Sequence, residues 1–210
     1  MVEQKIKNIN YRMFLDKGFI KILSESDINT ALDNIKGRHR TEARALVITL
    51  YLTGARPVEV LQLKAKDFKR DKSYLVVQMP AAKHGLARPI YLRYKLPMVK
   101  ELYKYTVGLF SEMFVFYHFK ANYVREYQTK SGIKQTVDYS NNLRYYFKKW
   151  FKDIDITPYY LRHNRFSSLA AKGANEEQLR QIKGAKTLAS VTVYSHLSAK
   201  SAKDIAKKID

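Results

Sequence analysis

The sequence predicts an α+β domain that is mostly α-helical with a small antiparallel β-sheet. Three observations predict it. Apolar residues recur at three- and four-residue steps through most of the chain, in runs bounded by helix-capping residues. Two short β-branched and aromatic runs, 73–79 and 89–92, flank the turn Lys83-His84-Gly85. No internal repeat and no low-complexity linker divides the 210 residues, a length that suits one well-formed core and a small appended arm.

Residues 1–22 are basic, with Tyr11, Phe14, Phe19 and Ile20 as apolar anchors, and read as an N-terminal arm ahead of a domain spanning 23–210. Ser24 is a capping residue with Asp27 three positions on, so a helix starts there, runs to about Asn34 and stops near Gly37. Residues 40–53 form a buried helix ended by Gly54. Pro57 suits the first turn of the next helix, Val58 to Leu63. A helix from about 96 to 107 follows the two strands.

Residues 113–128 are aromatic and carry no clear period. Tyr123 to Thr129 and Ile133 to Tyr139 form a second hairpin around Lys130-Ser131-Gly132. Leu143, Tyr146, Phe147, Trp150 and Phe151 mark a helix over 141–151 whose aromatic face is core. Another helix runs from Arg162 to Lys172 and is closed by Gly173. Asn175 caps a shorter one, with Glu176 and Glu177 in its first turn. Ala202, Ile205, Ala206 and Ile209 line one face of a last, small amphipathic helix.

Composition narrows the partner. With 39 Lys and Arg against 19 Asp and Glu, the formal charge is +20. So basic a balance favours an anionic polymer or an anionic membrane. No apolar run approaches the length of a membrane span and the N-terminus lacks an apolar signal region, which leaves nucleic acid in an intracellular setting. The chain has no cysteine, which excludes disulfides, cysteine-ligated zinc and a thiol nucleophile. The five histidines show no metal-ligand spacing, so neither a metal nor another cofactor is expected.

Four residues stand in contexts suited to phosphodiester chemistry: Arg56 at a helix start, Lys83 in a hairpin turn, Arg162 in Leu161-Arg162-His163, and Tyr194, 32 residues after Arg162 (194 minus 162). A phosphodiester resists attack because it is anionic and its leaving alkoxide is poor. Arginine answers the first difficulty, since its planar fork holds two oxygens and keeps its charge. Tyrosine is a nucleophile once nearby guanidinium groups favour its phenolate. A lysine on a hairpin loop can protonate the departing 5′ oxygen. Attack by tyrosine keeps the bond energy in a phosphotyrosine, so a strand can be rejoined without ATP.

The order and local wording resemble the catalytic domain of the tyrosine recombinases, the phage-type integrases, from about Leu23 to the C-terminus. Thr53-Gly54-Ala55-Arg56, Glu59 and Leu63 match that family's T-G-x-R-x-x-E-x-x-x-L motif. Lys83 precedes Arg88 and Pro89-Ile90-Tyr91-Leu92, in the manner of its hairpin lysine. Tyr159-Tyr160-Leu161-Arg162-His163 stands for its H-x-L-R-H box, and Gly184 lies ten residues before Tyr194, as in its L-G-H segment. Each motif alone is weak; four in order are specific.

The resemblance implies a fold of the DNA breaking-rejoining type and a site of Arg56, Lys83, Tyr159, Arg162 and Tyr194, supported by Glu59, His163 and Lys186. Glu59 would orient Arg56 or a neighbour. Tyr159 replaces the usual box histidine, as in divergent integrases of archaeal viruses and plasmids, and reads equally as a phosphate donor or a packing residue. Ala185 stands where the family has His or Trp, with Lys186 next to it as a substitute donor.

The implied partner is double-stranded DNA, with assembly on it as a tetramer whose C-terminal helix docks on a neighbour, and no small-molecule substrate. The implied host is a prokaryotic cell, archaeal by the likeness of Tyr159. Two other readings stay open: a type IB topoisomerase, and a DNA-binding homologue that has lost catalysis.

Overall fold

A computed structural model describes residues 23–81, 85–120, 123–129, 132–138, 143–152 and 156–194. The expected arm at 1–22, Lys83, the turn at 130–131 and the amphipathic stretch at 198–210 lie outside the described residues. No described helix is long and apolar enough to cross a membrane.

Helix α1, Glu25–Asn34, begins as expected: the Ser24 hydroxyl accepts from the Asp27 amide at 3.1 Å while the Asp27 carboxylate accepts from Ser24 N at 2.8 Å. Helix α2, Arg40–Thr53, is apolar on most of its circumference and forms the centre of the core, packed by other helices on several sides. It ends at Gly54, whose φ of 62° is left-handed. Pro57 then opens α3, Pro57–Val60, with Arg56 as its N-cap residue. This helix is one turn long rather than reaching Leu63; Leu61 and Leu63 are buried in the turns that follow.

The sheet has three strands rather than two: β1 Phe68–Asp71, β2 Tyr74–Met79 and β3 Arg88–Arg93, antiparallel in the order β1-β2-β3. Its polar edge strand, Phe-Lys-Arg-Asp, carries no apolar alternation. In register, Phe68 faces Val77, Val77 faces Ile90 and Met79 faces Arg88. Alternation puts Leu75, Val77 and Met79 of β2 and Arg88, Ile90 and Leu92 of β3 on the buried face.

Helix α4, Pro97–Thr106, packs on α2. The aromatic stretch resolves into turns, a 3₁₀ turn at Tyr117–Phe119 and the first strand of the hairpin β4 Tyr123–Thr129 and β5 Gly132–Asp138. Helix α5, Leu143–Trp150, buries Leu143, Phe147 and Trp150.

Helix α6 spans Pro158–Ala171, so it opens four residues before Arg162 (162 minus 158). Thr157 is the N-cap, its hydroxyl accepting from Tyr160 N at 3.3 Å, and Pro158 is the first helical residue. Arg162 therefore projects from the second turn. Helix α7, Glu176–Lys183, is capped by Asn175 and ends at Gly184, again left-handed at φ 63°. Two short turns, Leu188–Ser190 and Thr192–Tyr194, then carry the chain back over α6. A satellite core of Phe166, Ala170, Leu179, Val191 and Tyr194 holds this last segment in place.

Candidate active site

Glu59 is the hub of the site. At the third position of α3 it reaches back to the helix start, accepting from Arg56 N at 2.7 Å and from Arg56 Nη1 at 2.9 Å. The same carboxylate accepts from Arg88 Nη2 at 3.1 Å, and Arg162 Nη1 lies 3.9 Å from it. Glu59 is fully buried. Burial alone pushes a carboxyl up, yet the hydrogen bond and charge of Arg88, the Arg56 amide and the charge of Arg162 together hold it below its usual range. One anion thus fixes three guanidinium groups from three separate elements.

The arginines differ in what they leave available. Arg88 is buried and its fork is occupied: Nε donates to the Ile182 carbonyl at 2.6 Å and Nη1 to the Leu86 carbonyl at 3.1 Å. Arg162 is 5% exposed, donating to the Gly54 carbonyl at 2.6 Å and to the Lys183 carbonyl at 3.3 Å. Burial, with repulsion from Arg56 and Arg88, lowers it to about 10, so it stays charged at neutral pH. Arg56 keeps a quarter of its side chain exposed, with Nη1 held by Glu59.

Gly54 is required by this arrangement. Its left-handed φ turns the chain from α2 towards Arg56, and a Cβ there would sit 2.9 Å from Arg165 Cγ and 3.3 Å from the Phe166 ring. The closeness lets the Gly54 carbonyl meet Arg162, which joins the two arginine-bearing segments.

Tyr194 is fully buried and its hydroxyl lies 2.8 Å from His163 Nδ1, one residue after Arg162. Burial raises the phenol, and the lowering effect of Arg162 does not overcome it. This corrects the expectation that nearby cations favour the phenolate in the resting protein. His163 is pushed down to about 3 by burial and by the charges of Lys183 and Arg162, so its ring is neutral. In the tautomer protonated at Nε2, Nδ1 accepts the phenolic proton.

Lys183, absent from the sequence-derived set, also enters the site. Its Nζ donates to the Ser190 carbonyl and lies 5.3 Å from the Tyr194 ring centre and 5.7 Å from that of Phe166. Its position at the end of α7, directly before the helix-stopping Gly184, was the available signal.

The remaining expectations divide. Arg56, Glu59, Arg162, His163 and Tyr194 come together. Tyr159 does not join them: it lies in the first turn of α6 and is 43% exposed. Lys186 is exposed and joins none of the hydrogen bonds or ring contacts described above. Lys83 lies outside the described residues, in the connection between β2 and β3. Arg88 was quoted only as part of a motif, although its alternation with Ile90 and Leu92 already placed it on the core face. Elsewhere His39, Glu42 and His118 converge, with stacked imidazoles and His118 Nδ1 2.5 Å from the Glu42 carboxylate; chain spacing did not reveal this.

The sequence model of the phage integrase family matches residues 21–201. A tyrosine recombinase XerA of Pyrococcus furiosus is 22% identical over 195 residues, covering 92% of this chain and 63% of the relative. A tyrosine recombinase of Thermosipho africanus is 23% identical over 187 residues, covering 89% and 61%. The chain thus spans under two thirds of the length of these relatives.

Among solved structures, XerA recombinase superposes with a TM-score of 0.60 at 20% identity, over 90% of this chain and 65% of that one. The catalytic domain of bacteriophage HP1 integrase gives 0.52 at 17%, over 89% and 93%. The XerH site-specific recombinase bound to its difH substrate gives 0.61 at 16%, over 90% and 54%. The fold is therefore that of tyrosine recombinase catalytic domains.

Proposed function

The chain belongs to the phage integrase family, and from that premise we propose that it is a site-specific DNA recombinase of the tyrosine type. The observation that carries the reading is the convergence of Arg56 and Arg162 on Glu59, with Tyr194 hydrogen-bonded to the residue after Arg162. The names of the relatives point the same way, XerH being described with its DNA substrate.

In this reading the scissile phosphate is held by Arg56 and Arg162, whose charge compensates its non-bridging oxygens and the charge that develops in the transition state. Tyr194 Oη attacks phosphorus, and the phenolic proton passes to His163 Nδ1. The bond to the 5′ oxygen breaks, and Lys83 protonates that oxygen. A 3′-phosphotyrosine and a free 5′ hydroxyl result; attack by the 5′ hydroxyl of another strand reverses each step. Guanidinium and ammonium charges supply the stabilisation throughout, so neither metal nor ATP enters. Because Tyr194 is fully buried, its turn at 192–194 has to move for the phenol to meet a phosphate.

The same reading makes 23–210 the catalytic unit behind a basic arm at 1–22, assembling as a tetramer on two duplexes through the C-terminal stretch. A prokaryotic intracellular setting in a mobile genetic element, with Tyr159 as in archaeal integrases, completes it. Deleting 198–210 would impair synapsis more than DNA binding.

The test uses a pool of nicked duplexes with randomised cores and traps covalent complexes in detergent. Wild type forms protein–DNA adducts on selected sequences and Tyr194→Phe forms none. Absence of any wild-type adduct means a DNA-binding homologue without catalysis, and adducts from Tyr194→Phe overturn the choice of nucleophile. Relaxation of supercoils without strand exchange between duplexes assigns the chain to type IB topoisomerase chemistry.

A further inference from the structure

Two cations act on Tyr194: Arg162, already assigned with Arg56 to the phosphate, and Lys183. Lys183 is fixed by both ends of its residue. Its carbonyl accepts from Arg162 Nη2 at 3.3 Å, which locks the backbone to the arginine. Its ammonium lies over the Tyr194 and Phe166 rings and donates to Ser190, on the segment that carries the nucleophile. Ala185, two residues on, is buried with its carbonyl taken by Arg180 and has no side-chain donor to offer.

We propose that Lys183 is a third phosphate-binding residue of the site, whose ammonium leaves the Ser190 carbonyl for a non-bridging oxygen of the scissile phosphodiester. The inference rests on the strand-transfer reading above and deepens it. A carbonyl is a weaker acceptor for an ammonium than an anionic phosphate oxygen. Four methylene groups give the side chain the reach to change partner without moving the helix.

The charge pattern supports this. Burial, and the positive charges of Arg162 and Arg56, push Lys183 down to about 8. Lys183 in turn lowers His163, whose ring is neutral, and the neutral phenol of Tyr194 lies beside its ammonium. Cations held together against their mutual repulsion are poised for an anion that relieves it.

Two measurements decide the matter. The first uses [13Cε]lysine NMR on the full chain, with the Lys183 signal assigned by Lys183→Arg, in chloride and in inorganic phosphate at equal ionic strength. Phosphate raises the Lys183 titration midpoint by roughly one pH unit and leaves that of exposed Lys186 in place. An unmoved Lys183 overturns the proposal.

The second compares single-turnover adduct formation on a phosphodiester with that on a neutral methylphosphonate at the cleaved position, using a sequence from the adduct screen. Lys183→Met slows the first about 10–100-fold and the second less than about threefold, while Lys183→Arg restores most of the rate. Equal slowing on both substrates marks a merely structural residue. Thermal unfolding is followed alongside, and if Lys183→Met does not fold, the Lys183→Arg rate and the phosphate titration decide. Failure of wild type to form any adduct sinks the strand-transfer reading instead, and the phosphate titration still shows whether Lys183 binds the anion.

Discussion

The hydroxyl of Tyr194 and Nδ1 of His163 lie 2.8 Å apart, and burial keeps both groups neutral. In the strand-transfer reading, a neutral acceptor beside a neutral phenol makes proton transfer part of the attack rather than a step completed before it. The resting protein therefore stores no phenolate.

Stability should report the buried imidazole. His163 titrates near 3 in the folded chain and near the ordinary 6.5 when unfolded. Its folded value is depressed, so its contribution is fully present above pH 6.5 and is lost as pH falls towards 3. Between pH 6.5 and 5 the stability of wild type should fall by up to about 1.4 kcal/mol per pH unit beyond that of His163→Gln. Urea unfolding across that range checks it, and parallel slopes for the two proteins would contradict it.

Removing the carboxylate at the hub should be costly. Glu59→Gln leaves Arg88 and Arg162 buried without their anion, with an expected loss of about 3–5 kcal/mol. The folded value of Glu59 lies below its ordinary 4.5, so its stabilisation is present above pH 4.5 and is lost as acid protonates it. The gap between wild type and Glu59→Gln in chemical denaturation should accordingly close as pH drops below 4.5.

Arg56 offers the cleaner test of catalysis, because it is the most exposed arginine of the set. Arg56→Lys keeps the charge but loses the fork, so stability should change by under about 1 kcal/mol while adduct formation falls roughly 100-fold or more. Melting temperature and single-turnover cleavage, measured on one preparation, separate the two effects. A rate within about threefold of wild type would remove Arg56 from the phosphate.

Gly184→Ala tests the packing behind the site. A Cβ there would lie 2.5 Å from Arg88 Nη1 and 2.8 Å from the Leu86 carbonyl, on a backbone at φ 63°. Strain and overlap together should remove about 2–4 kcal/mol. Measured as the further cost of Gly184→Ala in an Arg88→Met background, which already bears the loss of the Glu59 pair, the penalty should shrink but persist because the Leu86 backbone cannot retreat; its disappearance would refute this account.

Local chemistry made much of this legible. Ser24 and Asp27 announced α1, Gly54 and Pro57 marked the α2–α3 corner, and Glu59 three residues after Arg56 implied their bond. What escaped was decided by tertiary contact. Arg88 is a charged residue on a buried face, tolerable only because Glu59 is there. The burial of Tyr194 depends on Phe166, Leu179 and Val191, which only the packing of α6 and α7 brings together. The early start of α6 was within reach, since Thr157-Pro158 is a cap followed by a first-turn proline, but the motif around Arg162 drew the boundary later. The edge strand β1 had no apolar period to show.

The Leu86 amide donates to the Gly184 carbonyl at 3.0 Å, and Arg88 Nε grips Ile182 next to it. These bonds splice the outgoing arm of the β2–β3 hairpin to the end of α7, a few residues ahead of the turn that carries the nucleophile. In the strand-transfer reading, a load placed on that arm by a bound duplex would reach the segment leading to Tyr194 through two hydrogen bonds.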